Sequence, residues 1–366
     1  MKKIVIDARE SGTSTGRYID MLIENLYVLK PAFDVVVLTK SHRIEHFNKV
    51  APKFTVIKSR YKEFGFGEQL GLAWQLYRLK PDLVHFGMVQ QPVLYMGKSI
   101  TTIHDLTTTR FRNPSKNRLI FWIKQQVYKW VIRVSLRKAT HVITPTEFVK
   151  DDVAKFAHIN SRKITATYEA ADIFDQKPEP IPGLEDKDFI MFNGRPLPHK
   201  NLRRLIRSFV LVREKYPNLL LVIAGKKDAS YKSYVALVKE LGLEESVLFT
   251  DFIPDGQLRW AMEHTKAYVY PSLSEGFGLP GLEAMLYGAP LISSNATCLP
   301  EVYGDAAEYI DPFSEEDIAK KIKKVLASEK RQKELVAAGK KQVKKYSWKK
   351  MAEQTLAIYQ NALEKK

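Results

Sequence analysis

Ser274-Glu275-Gly276-Phe277-Gly278-Leu279-Pro280-Gly281-Leu282-Glu283 sets two carboxylates around a glycine-rich turn. Upstream, Ala267-Tyr268-Val269-Tyr270-Pro271 reads as a buried strand. Downstream, Glu283 to Tyr287 predicts a helix, Gly288 its stop, and Pro290 to Ser293 the next strand. The unit is strand-loop-helix-strand. A helix N-terminus offers unpaired N–H groups to an anion, and Gly276 and Gly278 let backbone approach a ligand. Carboxylates touching a phosphate would repel it, so Glu275 and Glu283 suit hydroxyl groups on either side of one. A phosphate flanked by hydroxyls at both ends describes a nucleotide sugar. The plainer alternative is an ordinary βα loop with one solvated glutamate.

The same alternation runs outward in both directions. Strands are expected at Lys3 to Asp7, Val35 to Leu38, Leu83 to Phe86, Ile100 to Ile103 and His141 to Thr144. Helices are expected over Gly16 to Leu29, Gly67 to Lys80, Lys116 to Arg137 and Glu147 to Phe156. A second series of strands covers Phe189 to Phe192, Leu219 to Ala224, Ser246 to Phe252, Ala267 to Tyr270 and Leu291 to Ile292. Short β-branched runs separated by helices predict parallel sheets, and two series predict two doubly wound α/β domains. Lys177-Pro178-Glu179-Pro180-Ile181-Pro182-Gly183 breaks the series. The expected organisation is a domain over 1–174, a linker over 175–187, a domain over 188–345 and a terminal helix over 346–366, with Ser347 as its N-cap.

A chain of 366 residues with 45% apolar content has room for two cores. No apolar run reaches membrane-spanning length, and the start is too short in apolar residues for a signal peptide. Cys298 is the single cysteine, which excludes an intrachain disulfide and suits a reducing, cytoplasmic setting. The net charge of +17 is uneven: residues 1–175 hold 28 Lys and Arg against 16 Asp and Glu. Over 101–138 there are nine basic residues and one acidic, Asp105. Such a field attracts polyanions, anionic membrane or acidic substrates. No nucleic-acid-binding signature accompanies it, so nucleic acid ranks last.

Glu275 and Glu283, with Tyr270-Pro271-Ser272 before them and Glu283-Ala284-Met285-Leu286-Tyr287-Gly288-Ala289-Pro290 after, resemble the E-x7-E motif of family 4 retaining glycosyltransferases. The resemblance covers almost the whole chain and favours mannosyltransferase-like members. It implies the GT-B fold: two Rossmann-like domains facing a deep cleft, with the last helix crossing back to the first domain. It also implies a nucleoside-diphosphate sugar donor in the second domain, an acceptor in the first, and neither cofactor nor metal. In this scheme Glu283 binds ribose, Glu275 the donor sugar, and the N–H groups of Gly276, Phe277, Gly278 and Leu279 the sugar and distal phosphate. Gly194-Arg195 followed by Lys200-Asn201 resembles the diphosphate clamp. His104, at a predicted strand end, would lie against donor sugar and acceptor, with Asp105 beside it. Thr15-Gly16-Arg17-Tyr18 resembles a turn near donor phosphate and acceptor, without the usual Gly-x-Gly spacing relative to Gly12. The catalytic set is Glu275, His104, Arg195 and Lys200; Gly16 joins the donor contacts and Arg17 the acceptor contacts.

Ser11 to Tyr18 lacks the third glycine of a dinucleotide fingerprint. Ala224-Gly225-Lys226 and Phe252-Ile253-Pro254-Asp255 resemble base-binding edges. Asp186-Lys187-Asp188 is read as solvated rather than metal-binding. Lys116 to Arg137 interleaves Phe121, Trp122, Tyr128 and Trp130 with Lys124, Lys129 and Arg133. Leu119, Ile123, Val127, Trp130, Val131 and Val134 share one face. That helix is either core-packed with a basic outer face or attached to anionic lipid, where a lipid-linked acceptor would reside. The expected function is hexosyl transfer to a glycan or lipid-linked acceptor in cell-surface polysaccharide synthesis. The rivals are a silent GT-B scaffold, or a GT-B epimerase or phosphorylase.

Overall fold

A computed structural model describes the chain apart from residues 14, 62–64, 66, 112–117, 227–230 and 365–366, and apart from the side chains of 118–120. The expected helix start at Lys116 and the side chain of Leu119 lie outside the described residues. Met1–Thr109, Arg118–Glu169 and Ser347–Lys366 form one compact unit, and Ala170–Tyr346 the body of a second.

The first unit holds a seven-stranded sheet: β1 (Lys3–Asp7), β2 (Asp34–Thr39), β3 (Thr55–Lys58), β4 (Leu83–Phe86), β5 (Ser99–Thr102), β6 (His141–Thr144) and β7 (Ile164–Ala166). All pairs are parallel, in the order β3-β2-β1-β4-β5-β6-β7. The second unit holds β8 (Phe189–Asn193), β9 (Leu220–Ala224), β10 (Val247–Asp251), β11 (Ala267–Tyr270), β12 (Leu291–Ser294) and β13 (Ala307–Ile310). Its order is β10-β9-β8-β11-β12-β13, again parallel. Each sheet is doubly wound, and strand order reverses between β1 and β4 and between β8 and β11. Ligands of such sheets sit at the carboxyl ends of the strands flanking that reversal.

Central strands are buried along their whole length, as in β4, β5, β11 and β12. Both faces are therefore covered, which explains the mostly apolar runs of β4 and β11, while β5 and β12 also bury Ser and Thr side chains. The helix Arg17–Leu29 buries Tyr18, Ile19, Leu22, Ile23 and Leu26 along one stripe, and Lys30 closes it in the left-handed conformation. Leu202–Arg213 repeats the pattern with Leu205, Ile206, Phe209 and Val212. The terminal helix Trp348–Glu364 packs in the first unit: Phe33 and Tyr359 rings lie 6.2 Å apart, and Tyr359 OH meets His85 Nδ1.

Three strands were not expected: β3, β7 and β13. All three are sheet edges and are short, and β3 has no fully buried residue. Residues 175–187 also differ from expectation. The Gly256 N–H donates to Gln176 Oε1 at 3.0 Å, the Glu179 N–H donates to Gly256 O, and Ile181 and Leu184 are buried. Apolar side chains between the prolines fasten the supposed linker to the second unit.

Candidate active site

Two loops meet at the strand-order reversal of the second sheet. The first leaves β8 as Gly194-Arg195-Pro196-Leu197-Pro198-His199-Lys200-Asn201. Gly194 has φ +147°, and a Cβ on the facing Gly225 would lie 2.2 Å from the Gly194 carbonyl oxygen. Glycine at 225 thus lets the loops after β8 and β9 touch. Asn201 sits in the left-handed region and donates through Nδ2 to the Pro271 and Pro312 carbonyls at 3.1 and 2.7 Å. It ties the helix Leu202–Arg213 to the loops after β11 and β13.

The second loop leaves β11. Lys200 Nζ donates to Glu275 Oε1 at 2.7 Å and to Tyr270 OH at 3.0 Å. The two side chains are only 16% and 11% exposed. Burial pulls the Glu275 carboxyl upward, but Lys200 outweighs it by charge and hydrogen bond, so the net displacement is downward. Glu275 is therefore an anion at neutral pH. The neighbouring His199 carbonyl accepts from Leu273 N–H at 2.7 Å. Burial lowers the His199 ring to about 4 against the pull of Glu275, with Lys200 adding to burial. That ring is neutral and half-buried. Arg195 is exposed and makes no side-chain hydrogen bond or ion pair among the described residues.

The turn itself departs from expectation in three ways. The helix begins at Leu279, not Glu283, with Gly278 as its N-cap in the left-handed region at φ +95°. Pro280 fits because first-turn N–H groups need no intrahelical partner. Glu283 is consequently one turn inside the helix, and it is 4% exposed. Second, Gly278 and Gly281 seat Tyr303: a Cβ on either would come within 2.4 Å of its hydroxyl, which donates to Gly278 O at 2.6 Å. Third, the Phe277 side chain is buried edge-on against Tyr346, so only its backbone can face a ligand. Gly276 is buried and Leu279 half-buried. Glu275 is anchored from behind, its N–H donating to Thr297 Oγ1 and its carbonyl accepting from Cys298 Sγ.

In the first unit, His104 follows β5. Its Nδ1 lies 3.2 Å from Glu169 Oε1 and its Nε2 3.2 Å from Gly87 O, and the Tyr18 ring meets it edge-on at 5.0 Å. Asp105 is half-buried and accepts from Thr107 N–H at 2.9 Å, capping the short helix Thr107–Arg110. Gly16 is a packing glycine, since a Cβ there would lie 1.8 Å from Glu10 O. Arg17 is half-buried at the start of its helix. Sequence reasoning missed Tyr270, Tyr303 and Glu169 as parts of these clusters.

A family profile described as glycosyl transferases group 1 matches residues 150–342, and one described as glycosyltransferase family 4 matches 15–173. The chain is similar to O-antigen chain mannosyltransferase B of Escherichia coli, at 29% identity over 78% of this chain and 76% of that protein. It is 25% identical to O-antigen chain mannosyltransferase RfbU of Salmonella typhimurium, over 86% of this chain and 88% of that one. Its fold matches HepE of Anabaena, solved with UDP and glucose, at TM-score 0.75, 17% identity and coverage of 99% and 100%. Two Rossmann-like sheets of the GT-B type, matched along most of their length by those two profiles, make this chain a member of the family 4, group 1 glycosyltransferases.

Proposed function

We propose that this enzyme transfers a hexosyl group, of mannose type, with retention from a nucleoside-diphosphate sugar to a glycan or lipid-linked acceptor in cell-surface polysaccharide synthesis. The carrying observation is the Lys200–Glu275 pair at the strand-order reversal of the second sheet. The mannosyltransferase relatives support the sugar, and their O-antigen names support the acceptor class. The donor's sugar hydroxyls would be held by Glu275, and its diphosphate by Lys200, the exposed Arg195 and backbone N–H groups of Gly276 to Leu279. Glu283 is assigned to ribose, a role its burial makes dependent on local opening. Phe252, exposed beyond β10, offers a ring face to the base.

In the reaction the anomeric C–O bond to phosphate breaks and a bond to the acceptor oxygen forms on the same face. The acceptor proton passes to the departing phosphate oxygen, and the nucleoside diphosphate leaves. Lys200 and Arg195 counter the charge that develops on it, the part played by a metal in other transferases. Calorimetric titration of UDP, GDP, ADP and dTDP without added metal tests the donor site. One preferred diphosphate, with turnover of its sugar conjugate unaffected by chelator, is expected. Failure of all four to bind would favour the silent scaffold, and consumption of sugar nucleotide without transfer would favour an epimerase or phosphorylase.

We also propose peripheral attachment to an anionic membrane from the cytoplasmic side. Among the described residues no helix is long and apolar enough to cross a membrane. The helix Arg118–Lys138 buries Ile132 and Leu136, yet leaves Trp122, Ile123, Val127 and Trp130 exposed. Exposed aromatics in a basic stretch fit a headgroup layer. Cosedimentation with anionic but not zwitterionic vesicles, lost in a Trp122→Ala, Trp130→Ala variant, is the expected result.

A further inference from the structure

His104 is held between two acceptors. Glu169 Oε1 faces Nδ1 and the Gly87 carbonyl faces Nε2, each at 3.2 Å. The Glu169 side chain is 8% exposed, so little water competes for it. A neutral imidazole carries one N–H and one lone pair. With the hydrogen on Nδ1, the lone pair on Nε2 would point at a carbonyl oxygen. With it on Nε2, the lone pair on Nδ1 would point at a carboxylate. With Glu169 as a carboxylate, only the doubly protonated ring satisfies both neighbours.

The remaining surroundings agree. Asp105 follows in sequence and adds a second nearby carboxylate. Tyr18, from the helix Arg17–Leu29, closes one side with its ring edge. Its hydroxyl is hydrogen-bonded to Thr102 Oγ1, which bonds His85 Nε2, whose Nδ1 meets Tyr359 OH of the terminal helix. His85 is fully buried and brought down to about 3 by burial and by His104, so it contributes no opposing charge at neutral pH. Burial works against charge on His104 too, but the Glu169 hydrogen bond and charge, with Asp105, outweigh it and the net displacement is upward.

We propose that Glu169 is a positioning residue that, with the Gly87 carbonyl, keeps His104 doubly protonated at neutral pH, so that both ring N–H groups are held by the protein and His104 acts as a fixed positive charge, not as a base. What that charge does in turnover rests on the transferase reading; the protonation state does not. A cationic His104 leaves the acceptor proton to the departing phosphate oxygen and rules this histidine out as its recipient.

The test is a histidine 1H–15N correlation titration of the full-length protein, with His104→Gln to assign the signal. The expected result is a His104 ring that stays doubly protonated through neutral pH and loses its proton above the ordinary histidine range. Glu169→Gln should move that titration downward, and Glu169→Asp should recover part of it. A neutral His104 ring at pH 7 in the unsubstituted protein overturns the proposal, as does a titration unchanged in Glu169→Gln. In turnover, each unit of downward shift cuts the protonated fraction about ten-fold above both titrations. The deficit of Glu169→Gln should therefore widen from pH 6 to pH 8, where a merely structural defect would be uniform. Normal titration shifts with no sugar transfer by any form would leave the pair standing and count against the transferase reading instead.

Discussion

Each unit carries a buried cation–carboxylate pair beside the carboxyl end of its sheet, and the two pairs are built differently. In the second unit Lys200 meets Glu275 at 2.7 Å; in the first, His104 meets Glu169 at 3.2 Å. Lysine holds its charge across the neutral range, whereas histidine titrates within it. The Lys200–Glu275 pair therefore fails on the acid side, when Glu275 gains a proton. The His104–Glu169 pair fails on the alkaline side, when His104 loses one. One site offers a fixed charge for a diphosphate, and the other a charge whose survival depends on its carboxylate neighbour.

The sharpest break of this comparison is at Glu275. Glu275→Ala should lower turnover by about 10²–10³-fold, the usual loss when one preorganised electrostatic group is removed. Nucleoside-diphosphate affinity should change far less. Lys200→Ala should weaken both. Single-turnover kinetics beside calorimetry separates these, and near-normal turnover in Glu275→Ala would end the assignment. Stability gives the next largest effect. Lys200→Ala leaves the Glu275 carboxylate buried without its cation, at a cost of about 3 kcal/mol. Lys200→Met with Glu275→Leu removes both charges and should recover much of that in urea unfolding, though it abolishes transfer.

The sequence made some of this visible, and the reason lies in locality. Every interior strand could be read, because burial on two faces selects short apolar, β-branched or small-residue runs between helices. β3, β7 and β13 could not: all are sheet edges, β3 has no fully buried residue and β7 is three residues long, although the edge strand β10 was read. The loss at β7 mattered most. Thr167 N–H pairs with Thr144 O at the end of β6, and that register carries Glu169 toward His104. Glu169 itself is a lone carboxylate in Tyr168-Glu169-Ala170, without a motif to mark it. Lys200 and Glu275 were each legible within their own motifs, but their bond was not. It exists because β8 and β11 are neighbours in the sheet order, a long-range fact. The glycines misled in part: Gly278 and Gly281 answer to Tyr303, a side chain remote in sequence.

A third carboxylate calibrates the acid-side argument away from either site. Glu308 of β13 accepts from Lys321, Lys324 and Arg331 at 3.1, 2.7 and 2.8 Å. Burial raises its carboxyl, but those three hydrogen bonds bring it down to about 2. Its folded value lies below its unfolded one, so its contribution is present above the ordinary carboxylate range and lost as pH falls toward 2. Glu308→Gln should cost about 1–2 kcal/mol at pH 7, the size of a charged hydrogen bond partly open to solvent, and the deficit should shrink in acid. Because Glu308 touches no proposed ligand, donor binding should be unchanged, which separates electrostatic stability from electrostatic function.

The smallest effect is the alkaline one. His104 is displaced upward in the folded chain, so its contribution is complete below the unfolded histidine value near 6.5. It is lost as pH rises through the folded value. Urea midpoints of the unsubstituted protein and of Glu169→Gln should therefore differ most near pH 6 and converge toward pH 9. The corresponding curves for Glu275→Gln run the other way, closest in acid and parallel from pH 6 to 9, because Glu275 is already ionised throughout that range. Parallel curves for both variants over pH 6–9 would mean that His104 is not charged in the folded state, and the contrast between the two pairs would vanish.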